Sequence, residues 1–231
     1  MDQEILSRYN SLEGATDYAH KFERRWTERI NNWHEQRLLR RLLGLAELDN
    51  LDGFALDLPC GYGRLYHIVR DLGPRVIEGD WSFPLLATAR RYHSEVAMGQ
   101  LPAGYVRATA LQLPFRNRAF DLVLSVRLSH HIREPAERIQ HLCELMRVSR
   151  KWVMFTHFDV DSFKNRTHEQ RRRYNGKRSK WTMSLAQVQD LAQAQGFRLV
   201  QSAWLSRIFS GHRYTLWRRQ AIAGTPNPLD C

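Results

Sequence analysis

Between Phe54 and Leu72 an apolar run gives way to a glycine turn and then to helical spacing, and few folds accommodate that succession. Phe54 to Leu58, interrupted only by Asp57, reads as a buried strand, and Pro59-Cys60-Gly61-Tyr62-Gly63 cannot continue it. Leu65, Ile68, Val69 and Leu72 then recur at helical intervals. A strand that turns through glycines into a helix brings bare backbone amides to a helix N-terminus, where a nucleotide-like ligand can lie. Glycines also serve turns for backbone geometry alone, so the loop needs support from elsewhere in the chain.

That support lies downstream. Val76 and Ile77 lead into Glu78-Gly79-Asp80-Trp81-Ser82, a second strand ending in an acid about twenty residues past the loop, the interval at which a carboxylate meets ribose hydroxyls. Leu113-Pro114-Phe115, Phe120 to Ser125 and Glu144 to Val148 follow in order. Together these segments resemble the class I S-adenosylmethionine-dependent methyltransferases, especially the small-molecule branch with the ubiquinone and menaquinone methyltransferases. The resemblance covers roughly residues 50 to 160. It implies an α/β fold, a Rossmann-like, doubly wound, seven-stranded and mostly parallel sheet with an antiparallel last strand, in a three-layer sandwich under an N-terminal helical lid.

Strands are expected near 53–58, 75–80, 104–108, 119–126 and 151–157, with helices near 63–72, 83–95 and 134–148. The resemblance adds strands at about 197–205 and 212–218. Ser184 to Gln195 reads as the helix between, with Ser184 as N-cap and Gly196 at the exit. Residues 1–50 form the lid, 51–220 the methyltransferase domain with a basic cap segment at 159–182, and 221–231 a disordered tail. In the lid, Tyr18, Phe22, Trp26, Ile30, Trp33, Leu38, Leu42 and Leu45 step by three to five, which predicts an amphipathic helix over 17–48, in one or two pieces, whose apolar face covers the sheet.

The resemblance assigns the donor site motif by motif. Asp57 approaches the methionine end of S-adenosylmethionine, Gly61 and Gly63 let the backbone come close, and Asp80 takes the ribose hydroxyls; Pro59, where the family carries a first glycine, and Cys60 complete the loop. Thr109 stands where an adenine-contacting acid is common, so adenine would rest on Thr109, Ala110, Leu111 and Trp81, with Ser125 at the edge of the fourth strand. Asp57 as a helix-capping carboxylate is the plainer alternative. Methyl transfer is an in-line displacement that needs alignment and, for a hydroxyl acceptor, removal of a proton. His131 and His130, beyond the strand that faces the methyl group, are the base candidates, with His157 at the end of the fifth strand as rival; structural capping by the paired histidines is the other reading.

Composition narrows the acceptor. The chain of 231 residues has a formal net charge of +11, and 163–180 alone holds eight Lys or Arg against Glu169. Arg127, Arg171, Arg172, Arg173, Tyr174 and, from the lid, Tyr18 are the candidate acceptor contacts, the basic segment either recruiting an anion or being a solvated loop. Ser125-Val126-Arg127-Leu128 lacks the Asn/Asp-Pro-Pro-aromatic motif of amino-methyltransferases, which disfavours base N-methylation. O-methylation of an anionic small molecule, glycan or lipid-linked acceptor is the leading expectation, with peripheral membrane contact compatible with it. An RNA methyltransferase is the alternative and a non-catalytic S-adenosylmethionine-binding module the second. Cys60, Cys143 and Cys231 give no zinc or disulfide spacing, and no apolar run approaches membrane-spanning length, so a cytoplasmic protein without a metal is expected.

Overall fold

The structure is a computed structural model that describes residues 9–24, 26–45, 51–96, 100–175 and 181–220. Two helices open it, α1 (Leu12–Arg24) and α2 (Trp26–Leu45). Then β1 (Phe54–Asp57), α3 (Tyr66–Arg70), β2 (Arg75–Asp80), α4 (Phe83–Val96), β3 (Gly104–Arg107) and β4 (Phe120–Ser125) alternate. A short 3-10 turn (Ser129–His131), α5 (Pro135–Val148), β5 (Ser149–Asp159) and α6 (Phe163–Asn175) follow. The chain closes with β6 (Thr182–Met183), α7 (Leu185–Ala194), β7 (Phe197–Trp204) and β8 (His212–Arg219).

The sheet runs β3-β2-β1-β4-β5-β8-β7, with β1 to β5 parallel and β8 antiparallel to both its neighbours. The doubly wound, mostly parallel arrangement is the expected one. The two-residue β6 pairing in parallel with the end of β5 is an addition to the seven strands anticipated. Reversal of strand order at β1 and β4 opens a crevice beyond their carboxyl ends, and the glycine loop is threaded there.

Side-chain alternation along the strands divides the core. In β4, Leu122 and Leu124 face Leu39, Leu42 and Leu43 of α2 and Ile68 and Val69 of α3, while Val123 faces the layer with Leu142 and Leu145 of α5 and Val188 and Ala192 of α7. At α7, the Ser184 hydroxyl accepts from the Gln187 amide and the Gln187 side-chain oxygen accepts from the Ser184 amide, and Gly196 takes φ +76° at the exit, as its sequence predicts.

Three expectations need correction. The lid is in two pieces, one of the two forms expected, but its apolar stripe does not all turn inward: Leu39, Leu42 and Leu43 are buried with Glu35, whereas Trp26, Ile30 and Trp33 are 73%, 46% and 55% exposed. Spacing identifies residues that share a face but not which face meets the core. The helix after the glycine loop begins only at Tyr66, because the loop itself continues to Gly63, whose amide bonds Cys60. The basic segment is not a loop over 163–175 but the helix α6; Lys177, Arg178 and Lys180 lie outside the described residues, as does the tail 221–231. Among the described residues no helix is long and apolar enough to cross a membrane.

Candidate active site

A cavity of about 310 Å³ opens at the carboxyl ends of β1, β2 and β4, the lower end of the range for small-molecule sites. Its floor is the glycine loop. Gly61 takes φ +60°, and a Cβ there would meet the Tyr18 ring at 3.2 Å, so the bare backbone lets α1 close over the loop. Tyr9 and Tyr18 of the lid both line the cavity, their rings 5.1 Å apart edge to face, with Tyr18 against Tyr62 on the other side.

Two acids lie where β1 and β2 finish, Asp80 on the cavity wall and Asp57 buried behind it. Asp80 is buried, and its oxygens accept from the Gly61 amide at 3.0 Å and the Ser82 amide at 2.8 Å. Burial pushes its carboxyl up to about 6 despite these bonds. Asp80 lines the cavity and keeps acceptor capacity, since a carboxylate oxygen can take two donors. Asp57, next to it at the end of β1, is fully buried and neither oxygen has a hydrogen-bond partner among the described residues. Burial drives it up to about 8, with Asp80 adding to the rise and Arg64 opposing it. A buried carboxyl with no donor is costly to ionise and calls for a cation.

The part of the cavity braced by α2 is the cationic end. Arg64, directly after the glycine loop, and Arg127, after β4, line the cavity. Both bind one carboxylate: Glu35 of α2 meets Arg64 Nη1 at 2.7 Å and Arg127 Nε at 2.7 Å, and accepts from the Tyr214 hydroxyl of β8. Burial alone would raise Glu35; the two guanidiniums override it and hold it at about 2. Arg127 itself has φ +62° and donates its amide to Thr156 Oγ1 at 2.7 Å, so a left-handed backbone turn aims its side chain at the node. Arg64 carries a visible signal in following the loop, but neither Glu35 nor Tyr214 has a local one.

Three histidines complete that end. His130, His131 and His212 line the cavity; His130 lies 3.9 Å ring to ring from His131, 4.7 Å from His212, and stacks on Phe158 at 4.3 Å. Burial lowers His212 to about 3, with Arg127 adding to the fall, so its ring is neutral near pH 7. His212 was not among the sequence candidates.

Of those candidates, Pro59, Cys60, Gly61, Asp80, Trp81, Ala110, Arg127, His130, His131 and Tyr18 are brought to one cavity. Others are not on its wall, among them Asp57, fully buried at the end of β1, and Leu111. Thr109 pairs with Gln112 in a small bridge and its hydroxyl accepts from the Leu111 amide, so Ala108 takes the wall position instead. Ser125 points into the α5 layer, 3.2 Å from His141 Nε2. Gly63 sits behind the loop, where a Cβ would collide with the His93 ring. His157 is fully buried within β5, stacked on Phe155, and burial lowers it to about 4; strand parity turns it away from the crevice, which removes it as a base. Arg171, Arg172, Arg173 and Tyr174 belong to α6, and no α6 residue lines the cavity.

Residues 56–154 match a family model described as a methyltransferase domain. A protein of Encephalitozoon cuniculi (strain GB-M1) named as a methyltransferase is 35% identical over 135 residues, which are 55% of this chain and 58% of that protein. The chain therefore spans less than two thirds of the curated relative it matches. Among solved structures, magnesium protoporphyrin IX methyltransferase of Synechocystis PCC 6803 with bound SAH superposes with a TM-score of 0.77 at 16% identity, covering 95% of this chain and 100% of that one. A protein of Pyrococcus horikoshii OT3 gives 0.61 at 22% identity over 79% of this chain and 88% of its own. At such identities these likenesses speak for the fold.

Proposed function

We propose that the chain, whose residues 56–154 match the methyltransferase-domain model, is a class I S-adenosylmethionine-dependent methyltransferase that moves the methyl group of its donor to an oxygen of an anionic small-molecule, glycan or lipid-linked acceptor. The observation that carries the reading is the pair of acids at the donor end. Asp57, buried without a donor, suits a cationic amino group, and Asp80, already fixed by two amides, suits a pair of hydroxyls. Tyr9 and Tyr18 close the cavity from the lid and exclude water from it.

When bound, the donor supplies an electrophilic methyl carbon on a sulfonium; the chain's own residues align the acceptor and handle its proton. Arg64 and Arg127 share one carboxylate, so the acceptor end keeps an excess of positive charge that favours an anion. His131 or His130 is the group placed to take a hydroxyl proton there, and His212, held neutral, fills the wall without adding charge. The basic face of α6 adds a wider positive field outside the cavity.

Calorimetry with S-adenosylmethionine and with S-adenosylhomocysteine tests the donor site. Both should bind, and Asp80→Asn should weaken them roughly ten- to hundredfold, the loss of about 1.5–3 kcal/mol expected of a charge-assisted hydrogen bond. Absence of binding at millimolar ligand, or unchanged affinity in the variant, removes the assignment.

A further inference from the structure

The outward face of α2 contradicts its sequence pattern, and that face has a chemistry of its own. Trp26, Ile30, Trp33 and Arg37 follow one another at i, i+4, i+7 and i+11, which places them in a single line along the helix. The two indoles and the isoleucine are exposed by 73%, 55% and 46%, and the Arg37 guanidinium lies 5.5 Å from the Trp33 ring centre. Arg29, Arg40 and Arg41 flank the line and are exposed as well. The helix's two acids, Glu28 and Glu35, are seven residues apart and share the opposite side, where Glu35 is buried. The exposed face is thus apolar and aromatic at one end, cationic along its length, and, among the described residues of the helix, without a carboxylate.

We propose that this face of α2 docks on the surface of an anionic lipid bilayer. Tryptophan favours the boundary between headgroups and acyl chains, arginine reaches phosphate while its stem stays in the apolar layer, and Ile30 between the indoles offers an aliphatic surface that has no stacking use against a nucleobase. Charge complementarity selects anionic over neutral lipid, because the face carries four arginines and neither of the helix's own two acids. The inward side of the same helix carries Glu35, which bonds Arg64 and Arg127 on the cavity wall, so the docked helix is the one that braces the acceptor end. The inference does not depend on the methyl-transfer reading, since adsorption is measured without donor or acceptor.

The test is sedimentation of the full chain with vesicles of 70:30 phosphatidylcholine to phosphatidylserine and with vesicles of phosphatidylcholine alone, accompanied by quenching of tryptophan fluorescence by brominated acyl chains. Wild type should partition at least about tenfold more strongly onto the anionic vesicles, with binding that weakens as salt rises. Each surface cation contributes roughly fivefold, so Arg37→Glu with Arg41→Glu should lower partitioning by at least about 25-fold. Ile30→Asp with Trp33→Asp should abolish the bromine quenching. Both variants alter exposed side chains and should keep the wild-type melting temperature; if either unfolds, the wild-type quenching and lipid preference still decide. Equal binding to both vesicle types, absence of quenching, or folded variants that bind like wild type would overturn the proposal. Retention on single-stranded RNA with indifference to vesicles, lost in the same variants, would overturn it in favour of nucleic acid.

Discussion

Glu35→Gln isolates the charge that joins the lid to the sheet, keeping the side chain's size. In the folded protein two guanidiniums hold this carboxyl at about 2 rather than its usual 4.5. By linkage that difference corresponds to roughly 3 kcal/mol of stability at neutral pH, and removing one partner of a buried ion pair typically costs a similar 3–5 kcal/mol. The two routes agree because both measure the interaction of Glu35 with Arg64 and Arg127. For a chain of this size, 3 kcal/mol lowers the melting temperature by roughly 6–12 °C. The sign of the pH dependence follows from a lowered folded-state pKa: the contribution is complete above the unfolded value and disappears as pH falls through the folded one. Wild type should therefore lose stability between about pH 4.5 and 2 with a slope that Glu35→Gln lacks. Urea unfolding at pH 7 and at intervals down to pH 3 measures both. A loss below about 1 kcal/mol, or parallel pH profiles, would refute the argument. A cycle with Arg127→Met should be non-additive, since the two residues share the contact.

Donor binding should release close to one proton at pH 7, because Asp57, raised to about 8, must ionise beside a cationic amino group; calorimetry in buffers of different ionisation enthalpy reads this directly, and zero release would detach Asp57 from the site. The His130→Ala, His131→Ala double variant should lose about a hundred- to ten-thousandfold in turnover with donor affinity intact; a folded double variant that turns over normally would leave alignment alone as the source of rate. Gly63→Ala should destabilise, since φ is +81° and the new Cβ would lie 2.3 Å from the His93 ring. Adding His93→Ala should relieve the collision but leave roughly 1–2 kcal/mol of backbone strain, seen as partial recovery of the melting temperature; full recovery would show that the backbone is unstrained.

What the sequence makes legible here is local. The strand, glycine loop and acid of β1 and β2 lie within thirty residues, and each leaves a composition signal that backbone geometry requires. The Ser184 cap is legible for the same reason. The cationic end of the cavity is not, because it is assembled from distant pieces: Glu35 meets Arg127 across 92 residues and Tyr214 across 179. Nothing near Glu35 distinguishes it from any helical glutamate. The same limit misdirects the lid, where Trp26, Ile30 and Trp33 obey the period of a buried face yet point outward, the inner positions being taken by Glu35 and three leucines. His157 fails on parity, since being near a strand end does not decide which side of the sheet a side chain takes.

The span of that node also bears on biosynthesis. The ribosome delivers the glycine loop, Asp57 and Asp80 within about forty-five residues of Glu35, but the Tyr214 hydroxyl that completes the coordination of Glu35 arrives 179 residues after it. At ordinary elongation speeds of about 5–20 residues per second, that interval lasts roughly 10–35 s. Throughout it β8 is missing from between β5 and the position of β7, so β5 presents an open edge and Glu35 has guanidiniums but no phenol. The nascent chain can thus shape the glycine-loop end of the cavity early, while the cationic end is sealed only by β8; a chain ending before His212 would carry the glycine loop without a finished cavity wall.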